Sequence, residues 1–242
     1  MIHETNRRTR KRLEKTKLIL STAQTILLNE GLEAVTVHRI ARELDLTVGA
    51  LYRYFPSKQA MLTGLGEDIV QGFTSALTEL TELYVAENPN DDLQDITEVF
   101  VVGYGFLDMA EKSPARYRMV DLMLVDPRTM VRKEDRMTVL QTLFELLARV
   151  ESRLEQAAQA KTISQGPFRE RTIALWSSLL GISSMQKMRR LYPEQVPADN
   201  LAAQTLYPLF LAWGCDPSDL KKASEQALEF VQAHNTTPTP QS

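Results

Sequence analysis

The stretch TVHRIARELDLTVGALYRYFPSK, residues 36–58, decides the reading of this chain. Val37, Ile40, Ala41 and Leu44 recur at i, i+3, i+4 and i+7, the spacing that places four apolar side chains on one face of a helix. Thr36 stands before them as an N-cap, with a hydroxyl able to accept from an otherwise unpaired backbone N–H. Thr47 is a second cap, opening a helix through Leu51 to about Tyr54. Pro56 stops that helix and Ser57 caps the next. Only Leu44-Asp45-Leu46 separates the two short helices, too little chain for them to run apart, which predicts a helix-turn-helix. Leu44, Leu46, Leu51 and Phe55 turn inward in this reading, and Val48, Gly49, Tyr52 and Tyr54 turn outward.

Upstream, Leu13 to Leu28 carries Ile19, Ala23, Ile26 and Leu27 at helical spacing, and Gly31 follows where a left-handed residue ends a helix at least cost. Before it comes Arg7-Arg8-x-Arg10-Lys11-Arg12, read as part of a flexible basic arm over residues 1–15. Such an arm can lie along phosphates or enter a minor groove; the alternative is a solvated tail that aids solubility. The net charge of −3 argues weakly against a polyanion partner for the chain as a whole. Its distribution argues otherwise: residues 1–60 hold eleven Lys/Arg against six Asp/Glu, +5, which leaves −8 for the remainder. A basic head on an acidic body concentrates attraction for a polyanion at one end.

Downstream, Ser113-Pro114, Asp126-Pro127 and Asp216-Pro217 each set a capping side chain before a proline at the first helical position, and Asp199 could cap another helix. Helices are expected near 57–84, 92–111, 114–125, 127–160, 167–191, 199–214 and 217–234, with Pro208 kinking or interrupting its own. The polar tail Asn235–Ser242, with its Thr-Pro repeats, is expected to be disordered. Alternating strand patterns are absent from the sequence, so the fold class is all-α. With 242 residues there is room for a small domain joined to a larger one: 16–60 as the helix-turn-helix and 61–234 as a larger helical domain. No apolar run approaches the roughly 18 residues that cross a bilayer, so no membrane association is expected. Met1 to Lys17 lacks the apolar core of a secretory leader, and one cysteine, Cys215, fits a cytoplasmic setting.

The residues from Ile19 through Leu62 carry a wider pattern: Ala23, Gly31, Thr36-Val37, Ile40-Ala41, Leu51-Tyr52-Arg53-Tyr54-Phe55 and Ser57-Lys58. This pattern resembles the DNA-binding domain of TetR-type (tetracycline-repressor-like) regulators. There a helix ends in Leu-Tyr-x-Tyr/His-Phe, followed by a short loop and Ser/Asn-Lys. The family's usual Ala-Gly-Val-Ser turn is here Leu44-Asp45-Leu46-Thr47, in which Asp45 can take the left-handed geometry of glycine and Thr47 keeps the cap. The resemblance implies DNA contact at His38, Val48, Gly49, Tyr52 and Tyr54. Chemistry adds Thr36 and Thr47, whose helix N-termini can hold phosphates, and Lys58, which brings charge to the same backbone. Tyr52 and Tyr54 offer hydroxyls to phosphates, Gly49 permits close approach, Val48 suits a thymine methyl, and His38 and Arg39 can reach base or phosphate edges. Taken singly, Tyr52 and Tyr54 read more readily as interhelical packing, and His38 as an exposed polar residue.

For the larger domain the resemblance implies ligand binding and dimerisation. Phe73, Phe100, Tyr104, Tyr117, Met119, Met123, Phe144 and Trp176 are candidates to line a cavity for a small, largely apolar effector; the alternative is that they fill a core. Leu180, Gly181, Ser184, Met188, Leu206, Phe210 and Trp213 are candidates for a two-fold interface made by two helices of each subunit, unless both helices bury within one chain. The histidines His3, His38 and His234 have no metal-ligand spacing, Cys215 has no catalytic signature, and the glycine pairs 64/66 and 103/105 lack a preceding strand. No enzyme and no cofactor is expected. The expectation is a homodimeric regulator, more readily a repressor than an activator, on a palindromic operator in double-stranded DNA. An architectural DNA binder indifferent to small molecules is the alternative.

Overall fold

A computed structural model describes residues 2–124, 133–192, 194–195 and 198–234, and those residues hold helices and no strand. In order they are α1 (Ile2–Glu30), a 3-10 turn (Leu32–Ala34), α2 (Val37–Glu43), α3 (Val48–Tyr52), α4 (Lys58–Glu87), α5 (Gln94–Lys112), α6 (Pro114–Leu124), α7 (Lys133–Gln159), α8 (Phe168–Ser184), α9 (Gln186–Leu191), α10 (Ala198–Ala212) and α11 (Pro217–Ala233). The all-α expectation holds. The Asp126-Pro127 cap and the tail 235–242 lie outside the described residues.

The chain divides into two compact units, one built from Met1–Gly72 with Ser113–Gln141, the other from Phe73–Lys112 with Thr142–Thr239. The division expected at residue 60 therefore falls within α4, and α6 joins the first unit. Three further differences have local causes. The basic stretch expected to be a flexible arm is helical, because Arg and Lys are good helix formers and no Gly or Pro interrupts residues 2–30. The single helix expected over 167–191 breaks at Met185, where the Ser184 hydroxyl donates to the Gly181 carbonyl at 2.7 Å and the Met185 N–H turns to the Ile182 and Ser183 carbonyls. Pro208 does not interrupt α10; the helix continues through it, and Pro208 stands on its exposed side.

In the first unit α1 contributes Ile19, Ala23 and Leu27, all fully buried, to a core completed by Ile40, Leu51, Met61 and Leu65. α6 closes this unit against α1. Met123 packs so tightly on Gly66 that a Cβ there would stand 2.5 Å from the Met123 methyl. Tyr117, Met119 and Met123, expected among the cavity residues, are thus core of this first unit.

In the second unit α11 lies along α5 in the most extensive helix–helix contact. Asp216 caps α11, its carboxylate accepting from the N–H groups of Ser218 and Asp219, and Pro217 follows at the first position as the sequence predicts. The helix buries Leu220, Ala223, Ala227, Phe230 and Val231. The Tyr104 and Ser224 hydroxyls share a buried hydrogen bond of 2.6 Å between α5 and α11. Phe230 meets Tyr84 edge-on at 5.1 Å. Phe230→Ala removes a buried ring and its aromatic partner, and is expected to cost about 3–5 kcal/mol. Urea unfolding followed by circular dichroism checks this, and a loss below about 1 kcal/mol would mean that α11 is not integral to the unit.

Candidate nucleic-acid interface

Between Thr36 and Lys58 every turn is held by a specific local bond. Thr36 is extended (φ −125°, ψ 152°), and its hydroxyl accepts from the Arg39 N–H at 3.2 Å. α2 then buries Val37, Ile40 and Ala41, leaving His38 and Arg42 exposed. The chain leaves α2 through Asp45, left-handed at φ 51°, as the sequence predicts. The Leu46 N–H returns to the Ala41 carbonyl at 2.8 Å and the Asp45 N–H to the Arg42 carbonyl at 3.3 Å, the paired bonds of a Schellman ending. Thr47 accepts from the Ala50 N–H at 3.1 Å and starts α3, and Ser57 accepts from the Ala60 N–H at 3.0 Å and starts α4.

α3 is five residues long and is fastened from below. Leu51 is fully buried, and Phe55 sits against Gly64, where a Cβ would lie 3.1 Å from its ring and 3.6 Å from Leu20. On the other side Gly49 and Tyr52 are exposed, with Val48 and Tyr54 half-buried beside them. A Cβ on Gly49 would meet nothing within 4 Å, so this face is open. Lys58 is exposed at the start of α4. The structure thus brings Thr47, Val48, Gly49, Tyr52, Tyr54 and Lys58 together around α3, with Thr36 and His38 on α2. Arg39 differs from expectation: it bonds Glu30 at 2.8 Å and also pairs with Glu43, so its guanidinium ties α2 to α1. The hydrogen bond to Glu30 raises its pKa, with the charges of both carboxylates adding to the effect. Arg53, exposed between the two tyrosines, was not singled out from the sequence because it occupies the variable position of the Leu-Tyr-x-Tyr-Phe run.

The second unit holds a pocket of about 430 Å³ between α4, α5 and α7. Val85, Val99, Val102, Leu146 and Val150 form its apolar wall, and two ion pairs, Glu82–Arg149 at 3.4 Å and Glu98–Arg153 at 2.9 Å, its polar one. Burial pushes the Glu98 carboxyl up from its usual range, against the opposing hydrogen bond from Gln94 and the charge of Arg153. None of the aromatic and methionine candidates lines this pocket. Phe73 and Tyr104 are core. Phe100 and Trp176 border a slit of about 20 Å³, too small for an organic ligand. Phe144 is 57% exposed. Of the interface candidates, Leu206 and Phe210 are buried within their own unit, Phe210 stacking on Phe100 at 5.0 Å, and Trp213 lies under the Arg171 guanidinium. Leu180 is half-buried, and Gly181, Ser184 and Met188 are exposed.

Among the described residues no group of three or more His, Cys, Asp or Glu is placed to hold a metal ion, and no helix is long and apolar enough to cross a membrane. Burial first, then Asp219 and Asp216, pushes the Cys215 thiol up to about 11, the reverse of nucleophile activation.

Two side-chain-capped helices joined by a tight turn through a left-handed residue, the second offering an open face, make a helix-turn-helix DNA-binding module; the second unit is helical. Residues 19–65 match the family model described as bacterial regulatory proteins, tetR family, and the helix-turn-helix is of that family's type. Nucleoid occlusion factor SlmA of Vibrio atlanticus is 27% identical over 179 residues, which span 72% of this chain and 81% of that protein. Two solved structures share the fold. RolR in complex with resorcinol is 14% identical, with a TM-score of 0.58 over 96% of this chain and 100% of the other. SmeT, the repressor of the multidrug efflux pump SmeDEF of Stenotrophomonas maltophilia, is 16% identical, with a TM-score of 0.55 over 82% and 89%.

Thr47→Ala removes the cap of a helix with little else of its own, and is expected to cost about 1 kcal/mol, with Thr47→Ser recovering most of it. Thermal unfolding of both variants reads this directly, and equal stability of Thr47→Ala and the parent would show that the cap does not hold α3.

Proposed function

We propose that this chain is a homodimeric repressor that binds a palindromic operator through α3 and is released by a small molecule held between α4, α5 and α7. The observation that carries the reading is the open α3 face of Gly49 and Tyr52 with Thr47, Val48, Tyr54 and Lys58 around it, set on a fully buried Leu51. Val48 and Gly49 are placed for base edges in the major groove, and Thr36, Thr47, Tyr52, Tyr54 and Lys58 for flanking phosphates. His38 on α2 is a base or phosphate contact, whereas Arg39 serves the support of α2.

The outer face of α8 supports the dimer. Ile173 is 52% exposed, and Gly181, with nothing within 4 Å of where its Cβ would stand, and Ser184 follow it on the same side. Leu211 of α10 is also exposed. A dimer of this kind would present two α3 helices to half-sites one helical turn apart, about 34–36 Å. Repression follows from occupying a promoter. The effector of this reading is an amphipathic molecule with a polar end: opposed ion pairs facing valines suit it better than a largely apolar one. α4 carries Lys58 at its start and the pocket residues Thr81, Glu82 and Val85 near its end, so it is the element whose position a ligand would bias. Such a protein works in the cytoplasm, where bacterial DNA lies.

Similarity to SlmA, extending well past the helix-turn-helix, favours a second reading in which DNA binding serves nucleoid occlusion. Occupancy along the chromosome separates the two: sites clustered at promoters support the repressor, and sites spread across the chromosome support the second reading.

The decisive experiment is selection from random duplex DNA with the purified full chain. A palindromic site is expected. Tyr52→Ala should weaken it about tenfold, and Lys58→Ala should weaken all sequences evenly and lower the salt slope by about 1. Recovery of no preferred sequence would overturn the operator reading in favour of an architectural DNA binder. Gly181→Arg is expected to yield a folded monomer by analytical ultracentrifugation, and an unchanged dimer would place the interface elsewhere. A small molecule that raises thermal stability yet leaves operator affinity unaltered would refute the coupling.

A further inference from the structure

The helix-turn-helix is poor in charge for a DNA-binding module. Residues 18–60 hold four Lys/Arg and four Asp/Glu, a net of zero, and one of those cations is Arg39, already shared between Glu30 and Glu43. The +5 of the first 60 residues lies entirely in residues 1–17, with seven Lys/Arg against two Asp/Glu. Most of the attraction of a protein for duplex DNA comes from Lys and Arg that displace condensed counterions from phosphates. In this chain that charge is concentrated outside the module that reads the bases.

The structure gives this segment a form. Residues 2–30 make one helix, α1, and residues 7–14 are exposed on every side. From Arg7 onward the first buried residue is Ile19, so the helix runs for about 18 Å with no fully buried side chain. Leu20 lies at the corner formed by Gly64 and Phe55, three residues beyond the end of α3. At Leu20, α1 thus packs against the segment that follows the recognition helix.

As an isolated helix this segment is poorly arranged. Arg7–Lys11, Arg8–Arg12 and Lys11–Lys15 are like charges at i, i+4, and the cations crowd toward the positive end of the helix dipole. Arg10–Glu14, at 3.4 Å, is a favourable pair of that spacing. A polyanion would relieve each of these repulsions. A lipid surface would not be served as well, because a helix lying on a membrane needs an apolar face and Leu13 is the sole large apolar residue of 7–17.

We propose that the N-terminal half of α1 is a second DNA-binding element, a preformed basic rod carrying Arg7, Arg8, Arg10, Lys11 and Arg12 that grips backbone phosphates beside the site read by α3. It rests on the DNA-binding reading and deepens it: α3 supplies sequence preference and the rod supplies sequence-independent affinity. Duplex DNA carries one charge per about 1.7 Å, so the roughly 7.5 Å of helix from Arg7 to Arg12 passes about four phosphates, enough for most of the five cations.

The test compares the full chain with R7Q/R8Q/R10Q/K11Q/R12Q on the selected operator and on an unrelated duplex, across a range of salt. The charge-preserving R7K/R8K/R10K/R12K is the control, and circular dichroism follows helix content. The expected result is a slope of log K against log salt shallower by about 3–4 in the Gln variant on both duplexes. Affinity should fall at least tenfold near physiological salt, with the same sequence selected and the Lys variant unchanged. A Gln variant within one unit of the parent's slope would overturn the proposal while leaving DNA binding by α3 intact. A Lys variant as weak as the Gln variant would also overturn it, since charge would not be what acts. A rod-dependent affinity for phosphatidylglycerol vesicles with an unchanged DNA slope would assign the rod to lipid instead. A parent chain that binds neither duplex would bring down the DNA-binding reading and this inference together.

Discussion

The burial of Leu51 is the constraint from which the rest of the DNA-binding unit follows. A five-residue helix cannot hold itself together in water, since nucleation is unfavourable and so few hydrogen bonds follow it. α3 exists because one side chain is fully buried, one hydroxyl caps its start, and one left-handed residue delivers the chain to it. Each neighbouring element serves that placement. Gly64 leaves room for Phe55, Gly66 leaves room for Met123, and the Glu30–Arg39–Glu43 bridge fixes α2 to the end of α1. The face turned outward is then free of structural duty.

Charge is divided in the same manner. Inside the helix-turn-helix a cation is used to fasten α2, so its exposed face is left with hydroxyls, a glycine and few charges. Attraction for a polyanion is displaced onto α1. Groups that read bases must sit at fixed positions, whereas groups that neutralise phosphates act through a field that tolerates variation in register. Separating the two lets the reading face stay small.

The local rules of the chain were legible and its tertiary assignments less so. Thr36, Thr47, Ser57 and Asp216 announce their caps, Gly31 and Asp45 their left-handed turns, because these depend on neighbours within a few residues. The reading of 1–15 as an arm failed because a run of charge suggests solvation, while the backbone responds to the helix propensity of Arg and Lys. The cavity candidates meet a different limit. Aromatic residues at helical spacing are as well suited to filling a core as to lining a pocket; here Phe100 stacks on Phe210 and Phe106 meets Trp176 edge-on. The exposure of Phe144 and the burial of Leu206 and Phe210 depend on how whole helices rotate, which no short pattern in the sequence specifies.

The better marker of the pocket was a polar residue in an apolar run. Glu98 lies within Ile96–Phe106, where most side chains are aliphatic or aromatic, and it is 5% exposed. A carboxylate in that setting is costly even beside Arg153, as the upward pull of burial on its pKa shows. An aliphatic side chain there would serve packing at least as well. Asp95 repeats the pattern one turn away, raised by burial and opposed by the same guanidinium. Glu98 and Arg153 both line the 430 Å³ space, so the polar groups of the Glu98–Arg153–Asp95 cluster border a cavity and not a sealed core. A ligand group that hydrogen-bonds there need only exchange partners already held in position, which is how a polar site gains specificity without first having to order itself.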